Sequence, residues 1–255
     1  MTQREQESFR QICEEEKNAP ACSAGVRIGT YGEKRLHRVL KKWICSDETY
    51  HERPVGRYIA DLLVGDEILE IQTGSLHPLR EKLKGYLETT DYRITVIYPM
   101  FAEKRLVRMD RETGEVLSVR RSPKRAQWRD ALPELFWIRE VLESPRVTIR
   151  LLLLSGEERR YSERMRYRRE GAYDSELFPE ELLDELTISV PSDYRMFLPS
   201  GLTSFTAPEY GAFSKQKGRD LYSSLNLLCS LGLLRREAEG RRYRYTVVKE
   251  MIENT

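Results

Sequence analysis

The sequence is poor in the residues that build thiolate metal centres and disulfide frameworks. Its 255 residues include four cysteines and three histidines, and the cysteines form no CxxC pair. This spacing argues against a zinc site and against structural disulfides. No apolar run approaches the roughly 18–20 residues that cross a bilayer, and the charged N-terminus lacks the apolar core of a secretory signal. We therefore expect a cytoplasmic protein with no membrane partner.

The net charge is also small, +2 at pH 7, so overall charge does not select a partner. The basic residues are nevertheless unevenly distributed. Residues 120–129 hold five basic and no acidic residues, and residues 235–244 hold five basic and two acidic ones. Such patches are typical of proteins that bind polyanions on chosen faces, although a solvated, salt-bridged surface has the same composition.

Residues 30–99 alternate between helical and strand-like periodicity. Leu36, Leu40 and Trp43 recur at helical spacing and predict a helix over residues 30–44. The pattern then predicts three strands, a helix and a buried strand. Their predicted bounds are Tyr50–Arg53, Tyr58–Val64, Glu67–Thr73, Leu76–Leu87 with Ser75 as its cap, and Arg93–Tyr98 closed by Pro99.

The residues after 100 predict further hairpins and helices. A hairpin is expected to turn near Thr113-Gly114, followed by a helix over residues 128–142. A second hairpin is expected to turn at Ser155-Gly156, and a short helix is expected to begin at Pro179.

The C-terminal part carries strong local signals for helix, turn, helix and hairpin. The segment Thr206–Glu209 is a capping box with proline in the first turn. A longer helix is predicted over residues 215–231, with Gly232 just past its end, and residues 233–248 predict a two-stranded wing. This is the order of a winged helix. We therefore predict an α/β protein with an N-terminal arm (1–24), a larger α/β domain (25–145), a basic hairpin or linker region (146–190) and a smaller winged-helix domain (191–255).

The most informative segment is YIADLLVGDEILEIQT, residues 58–73. If Gly65-Asp66 is a two-residue hairpin turn, Asp61 lies directly opposite Glu70. Strand alternation then puts Asp61, Glu70 and Gln72 on one face. Opposed carboxylates repel each other unless a cation lies between them. A divalent metal meets this need, because Mg²⁺ is commonly held by one or two carboxylates together with substrate phosphate.

These residues resemble the PD-(D/E)xK nuclease superfamily. The matching parts are Glu33 on the preceding helix, Asp61, and Glu70-Ile-Gln72, within a helix, three strands, helix, strand order. The segment IADLLV…ILEIQTG is similar to the E-x-Q variant found in competence-associated nuclease-like proteins. The resemblance covers roughly residues 28–100 and implies an αβββαβ restriction-endonuclease-like core that cleaves phosphodiester bonds with Mg²⁺ or Mn²⁺.

The resemblance also implies roles for individual residues. Asp61 and Glu70 would bind the metal, Glu33 would support the site, and Gln72 would orient water. Gln72 takes the place where the family usually has lysine, and a neutral amide cannot supply that charge. Lys82 on the following helix, or alternatively Lys84, would deliver an ammonium group instead. Glu33 has a second explanation, because Thr30–Glu33 is itself a capping box.

One alternative uses the same residues without catalysis. In it, Asp61, Glu70 and Gln72 form a buried polar cluster that Arg57 or His51 satisfies without metal. Arg57 and His51 could equally contact a scissile phosphate. The other two histidines, His37 and His77, are expected on the surface.

The basic residues complete the functional prediction. DNA is the expected partner, and a homodimer is compatible with the sequence. We expect the second helix of the winged helix to present its first residues to base edges and the wing to contact phosphate. A regulatory protein that binds DNA without cleaving it, and a protein-interaction module, remain alternative functions. The predicted nucleic-acid contacts are Arg57, Arg121, Lys124, Arg125, Lys215, Gln216, Lys217, Arg219, Arg241 and Arg242.

Overall fold

The computed structural model of the chain describes residues 2–18, 31–162, 174–240 and 242–248. These residues form a mixture of helices and strands, which confirms the predicted α/β class. No helix among them is long and apolar enough to cross a membrane.

The chain divides into two compact units that interleave along the sequence. Unit 1 comprises Met1–Gly74, Ile97–Gln127 and Leu151–Leu186, and unit 2 comprises Ser75–Val96, Trp128–Arg150 and Thr187–Thr255. The predicted boundaries at residues 145 and 190 therefore do not coincide with the limits of these units.

Two helices and a sheet enclose the core of unit 1. Helix α1 (Gln3–Asn18) buries Phe9 and Cys13, and helix α2 (Tyr31–Ile44) contributes Leu36, Val39 and Leu40. Both helices are amphipathic, so each turns one apolar stripe toward the same cluster. The clustered residues on the sheet side are Leu62, Leu69, Ile71, Ile97, Leu152, Leu154 and Leu182.

A buried glutamate joins the two helices. The side chain of Glu16 on α1 accepts hydrogen bonds from Lys42 at 2.5 Å and from Arg38 at 3.1 Å, both on α2. Burial of the carboxyl favours its neutral form, but these two bonds outweigh burial and hold the pKa of Glu16 below its ordinary value. The ionised carboxylate is thus part of the contact between α1 and α2.

The main sheet has seven strands. Their bounds are β1 His51–Val55, β2 Tyr58–Val64, β3 Glu67–Ile71, β4 Arg93–Asp110, β5 Val116–Arg121, β6 Val147–Ser162 and β7 Asp174–Ile188. The strands pair in the order β1-β2-β3-β4-β6-β7, and β5 pairs with β4 beside this path. Strand β2 and the β4–β5 hairpin agree with the prediction, while β1 and β3 differ by a few residues at their ends.

Three predicted breaks in these strands are wrong. Strand β4 continues through Pro99, β6 through Ser155-Gly156, and β7 through Pro179. Gly156 is needed for close approach rather than for a turn, because a Cβ there would lie 2.3 Å from the carbonyl oxygen of Phe178. The region 146–190 is therefore mostly two long strands. The arginine-rich residues 163–169 lie outside the described part of the chain.

Unit 2 contains a smaller sheet with two helices. Strand β8 (Ser204–Thr206) leads into α5 (Ala207–Ser214), and α6 (Gly218–Ser230) leads into β9 (Leu234–Glu239) and β10 (Arg242–Val247). The strands pair in the order β8-β10-β9. The predicted capping box is confirmed, since Glu209 accepts from both the backbone N–H and the hydroxyl of Thr206. Gly232 has the left-handed φ of +70° that the end of α6 requires.

The other helices of unit 2 are shorter than predicted. Helix α3 spans Leu79–Thr89, with Pro78 at its N-cap position. Ser75 does not cap this helix, because the helix begins at Leu79. The Ser75 hydroxyl donates to Glu134 at 2.9 Å and accepts from the backbone N–H of His77 at 3.3 Å. In place of one helix over residues 128–142, a single α-helical turn, α4 (Leu132–Leu135), lies between two 3-10 segments.

Candidate functional site

The β2–β3 hairpin has the register that the sequence predicts. Val64 pairs with Glu67, Leu63 with Ile68 and Leu62 with Leu69, around a turn in which Gly65 has a φ of +60°. The paired part of the hairpin ends at Leu62 and Leu69. Asp61 and Glu70 are the next residue of each strand beyond that last pair.

The Asp61 carboxylate is fixed by the backbone of the neighbouring strand. Its Oδ2 accepts a hydrogen bond from the N–H of Ile71 at 2.8 Å. Ile71 is 3% exposed, so this amide is shielded from solvent. The side chain of Asp61 itself is 20% exposed and therefore remains accessible to a small ligand.

Helix α2 adds His37 to this carboxylate. His37 Nε2 lies 3.1 Å from Asp61 Oδ2, and its side chain is 24% exposed. His37 is therefore half-buried and paired with Asp61, whereas the sequence predicts an ordinary surface side chain. The sequence did contain a signal for it, because His37 follows Glu33 by four residues and so shares its side of the helix. The backbone of Glu33 lies in α2, but its side chain is outside the described part of the structure.

Glu70 and Gln72 occupy the adjoining end of β3. Glu70 is 1% exposed and stands between Leu69 and Ile71, which both belong to the core cluster. Gln72 is half-buried, and its backbone N–H donates to the Ile97 carbonyl of β4 at 3.0 Å. The hydrogen bond to β4 thus fixes the backbone of the segment that carries Glu70 and Gln72.

The structure records other contacts for His51 and Arg57, the two side chains proposed as partners of this cluster in the absence of metal. His51 Nε2 is 2.8 Å from the carbonyl oxygen of Cys45. The exposed Arg57 donates to the hydroxyl of Tyr58 and stacks on the ring of that residue. The alternative in which these two side chains satisfy Asp61, Glu70 and Gln72 without metal stays a prediction.

The oxygen ligands of Asp61 and Glu70 are of the kind that Mg²⁺ takes. Such a site commonly has one or two carboxylates, with water and substrate phosphate completing the coordination shell. Among the described residues, no group of three or more His, Cys, Asp and Glu side chains is arranged to hold a metal. The donor set therefore fits an open two-carboxylate site and does not fit a closed structural site.

The predicted lysines belong to the other compact unit. Lys84 forms an ion pair with Glu140. The ammonium group of Lys82 lies 5.9 Å from the centroid of the Tyr86 ring, on the same helix.

The predicted nucleic-acid contacts have different environments. In unit 1, Arg121, Lys124 and Arg125 are exposed at the end of β5 and just after it. In unit 2, Gln216 is 7% exposed and its amide donates to the Arg129 carbonyl at 2.9 Å, so its predicted contact with bases is wrong. The exposed members of the predicted set in unit 2 are Lys215, Lys217, Arg219 and Arg242, and Arg241 lies outside the described residues.

Sequence reasoning missed two aromatic residues near this basic group. Tyr222 on α6 is 54% exposed and Tyr243 on β10 is 52% exposed. The guanidinium of Arg236 lies 4.7 Å from the Tyr243 ring centroid and 3.5 Å from the Asn226 side-chain oxygen. Tyr222 lies among polar residues on α6, and a tyrosine in such a setting is the sequence signal that could have pointed to these two exposed aromatic residues.

Comparison with known proteins assigns most of the first part of the chain to one family. The profile of a family described as a domain of unknown function, DUF8091, matches residues 34–189, more than half of the 255 residues. The chain belongs to the DUF8091 family. No curated protein and no solved structure shows significant similarity to it.

The DUF8091 region contains the whole described site. His37, Asp61, Glu70 and Gln72 all fall within residues 34–189, whereas β8, α5, α6, β9 and β10 follow it. The carboxylate site and the C-terminal basic surface thus belong to different parts of the chain.

Proposed function

We propose that this DUF8091 protein is a metal-dependent nuclease that hydrolyses phosphodiester bonds in DNA. The observation that carries the proposal is the environment of Asp61. Its carboxylate is held by the Ile71 amide and by His37, and Asp61 and Glu70 are the residues next to the last pair of the β2–β3 ladder. Two carboxylates at the end of a hairpin can bind a divalent cation together with phosphate.

The order of the surrounding elements supports the proposal. Helix α2 is followed by β1, β2, β3, α3 and β4, and the four strands are neighbours in that order. This is the αβββαβ order that the resemblance to PD-(D/E)xK nucleases implies. Asp61 and Glu70 occupy the acidic positions of that motif, and Gln72 occupies the usual lysine position.

The residues of the chain would share the work as follows. Asp61 and Glu70 would hold Mg²⁺ or Mn²⁺, and His37 would keep the Asp61 carboxylate oriented. When bound, the metal would polarise the phosphoryl oxygen and lower the pKa of water. Gln72 would position that water by hydrogen bonding. Glu33, one helical turn before His37, would support the site from α2.

Substrate binding would use the exposed basic residues. The order β8, α5, α6, β9, β10 supports a winged helix whose second helix is α6. Lys217 and Arg219 at the start of α6, and Arg242 in the hairpin, would contact DNA. Lys124 and Arg125 would contact phosphate from unit 1.

A cleavage assay tests the proposal. Labelled single- and double-stranded DNA is incubated with Mg²⁺ or Mn²⁺ and with wild type, Asp61→Asn or Glu70→Gln. We expect cleavage by wild type and a loss of at least about 10²-fold in both variants, as when a transition-state electrostatic contact is removed. Asp66→Asn is the matched control, because Asp66 is an exposed aspartate in the turn of the same hairpin, and it should cleave like wild type.

A second candidate function is DNA binding without cleavage. It is favoured by Gln72, which cannot supply the charge of a lysine, and by the absence of a three-ligand metal group among the described residues. If neither metal supports cleavage while all proteins still bind DNA in a gel shift, this function replaces the nuclease. Loss of binding with rising salt would then separate it from a protein-interaction module, which would bind no DNA.

A further inference from the structure

Strand β5 is exposed along its whole length. All six of its residues are solvent-exposed, including three large apolar ones: Val116 at 57%, Leu117 at 47% and Val119 at 58%. A strand of this composition normally turns at least one face toward a core. Val116, Leu117 and Val119 are thus three apolar side chains without a cover in the described part of the chain.

The outer edge of β5 is also unpaired within the described residues. Strand β5 pairs with β4 alone, from Arg121 opposite Arg105 to Val116 opposite Met109. Two of the other terminal strands, β1 and β9, have features that block pairing with another chain. Strand β1 carries Pro54 with exposed charges beside it, and five of the six residues of β9 are exposed and mostly charged.

We infer that β5 is a dimerisation strand that pairs in antiparallel fashion with β5 of a second copy of the chain. The pairing is centred on Ser118, which lies opposite Ser118 of the second copy. Leu117 then lies opposite Val119 on both sides of the axis. One step further out, Val116 lies opposite Arg120, and beyond that pair Glu115 lies opposite Arg121 at both ends. The strand is thus complementary to itself at the Leu117–Val119 contacts and at the Glu115–Arg121 charge pairs.

The charges select this register over its neighbours. Moving the centre to Val119 would set Arg121 opposite Leu117, and moving it to Leu117 would set Glu115 opposite Val119. A charged group faces an apolar side chain in all three registers, since Val116 faces Arg120 when Ser118 is the centre. Only the register centred on Ser118 sets Glu115 opposite Arg121, so the opposite charges favour it. Neither Glu115 nor Arg121 forms an ion pair within the described chain, so both are available to the second copy.

The oligomeric state of the full chain tests the inference directly. Light scattering after size exclusion, from about 1 to 100 µM, should give twice the monomer mass of 30.0 kDa. Glu115→Arg and Arg121→Glu each place like charges opposite each other twice, and each should weaken the dimer roughly tenfold. The double variant carrying both changes restores opposite charges in exchanged positions and should dimerise like wild type.

A cross-link tests the position of the axis. Ser118→Cys brings two thiols together across the axis, at the Cα separation of roughly 4.5–5.5 Å of directly opposed residues. It should form a covalent dimer under mild oxidation. Thr113→Cys, exposed in the turn of the same hairpin, is the matched control and should not. Wild type in parallel accounts for the native cysteines.

Two results would overturn the inference. One is a wild type that stays monomeric at about 100 µM. The other is a dimer that neither single charge variant weakens and that Ser118→Cys does not cross-link, which would place the interface elsewhere. Because these side chains are exposed, thermal melting should confirm that every variant is folded. None of these readouts depends on nuclease activity.

Discussion

Replacing Asp61 by alanine and by asparagine should separate its structural role from its proposed catalytic one. Alanine removes the acceptor from the Ile71 amide, which is shielded from solvent. Asparagine keeps an oxygen in place and removes the charge. Both variants should abolish cleavage, but only alanine leaves a buried donor without a protein partner.

The structure gives the size of the difference. An unsatisfied buried donor costs about 1–3 kcal/mol, and loss of charge assistance in a retained bond costs about 1 kcal/mol. We therefore expect the free energy of unfolding to be lower for Asp61→Ala than for Asp61→Asn, by up to about 2 kcal/mol. In a protein of this size the melting temperature would differ by up to about 8 °C.

Two assays check this expectation. Thermal melting gives the global difference, and hydrogen exchange of the peptide that contains Ile71 gives the local one, because its amide should exchange faster in the alanine variant. Equal stability of the two variants, with unchanged exchange at Ile71, would show that the bond from Asp61 does not hold the hairpin end.

Three further predictions concern stability. Gly156→Ala should cost about 1–3 kcal/mol, since the added methyl would overlap the Phe178 carbonyl; an unshifted denaturant midpoint would contradict the close approach of the strands. Burial opposes ionisation of Glu16, but hydrogen bonds from Lys42 and Arg38 hold the pKa of its carboxyl below the ordinary value. Its contribution is therefore complete above the unfolded pKa of about 4.5 and is lost as pH falls through the lower folded value. Glu16→Gln should flatten the acid side of a stability–pH curve, and an unchanged slope would refute this. Thr206→Ala should cost about 1 kcal/mol through loss of the cap of α5, measured by thermal melting; an unchanged melting temperature would show that the cap does not stabilise the unit.

The features predicted correctly are those that neighbouring residues determine. The turn at Gly65-Asp66 fixes the pairing of β2 with β3, because each residue beyond a two-residue turn has one partner. The capping box at Thr206 and the glycine after α6 are likewise complete within a few residues. Such signals need no knowledge of the rest of the fold.

The wrong predictions involve contacts between distant residues. Gly156 resembles a turn residue in sequence, but it is required by Phe178, which follows it by 22 positions. Gln216 stands where a winged helix begins its second helix, yet its amide bonds to Arg129. Both choices depend on a partner that periodicity and turn chemistry do not specify.

The candidate site lies between these cases. The positions of Asp61 and Glu70 follow from local strand pairing. His37 does not, because its distance from Asp61 depends on how α2 packs on the sheet. The amide of Ile71 has no distinguishing residue type, since any residue except proline offers the same donor.

The interleaved units have a consequence for synthesis on the ribosome. Helix α1 is made first, yet Gln6 bonds to Leu182 and Lys17 to Glu180, across 176 and 163 residues of chain. These contacts close only after most of the chain has emerged, so neither unit can be completed during translation of the first half. High contact order of this kind slows folding and leaves apolar strands exposed meanwhile. The protein should therefore depend on chaperones for its yield more than a protein whose domains are consecutive in sequence.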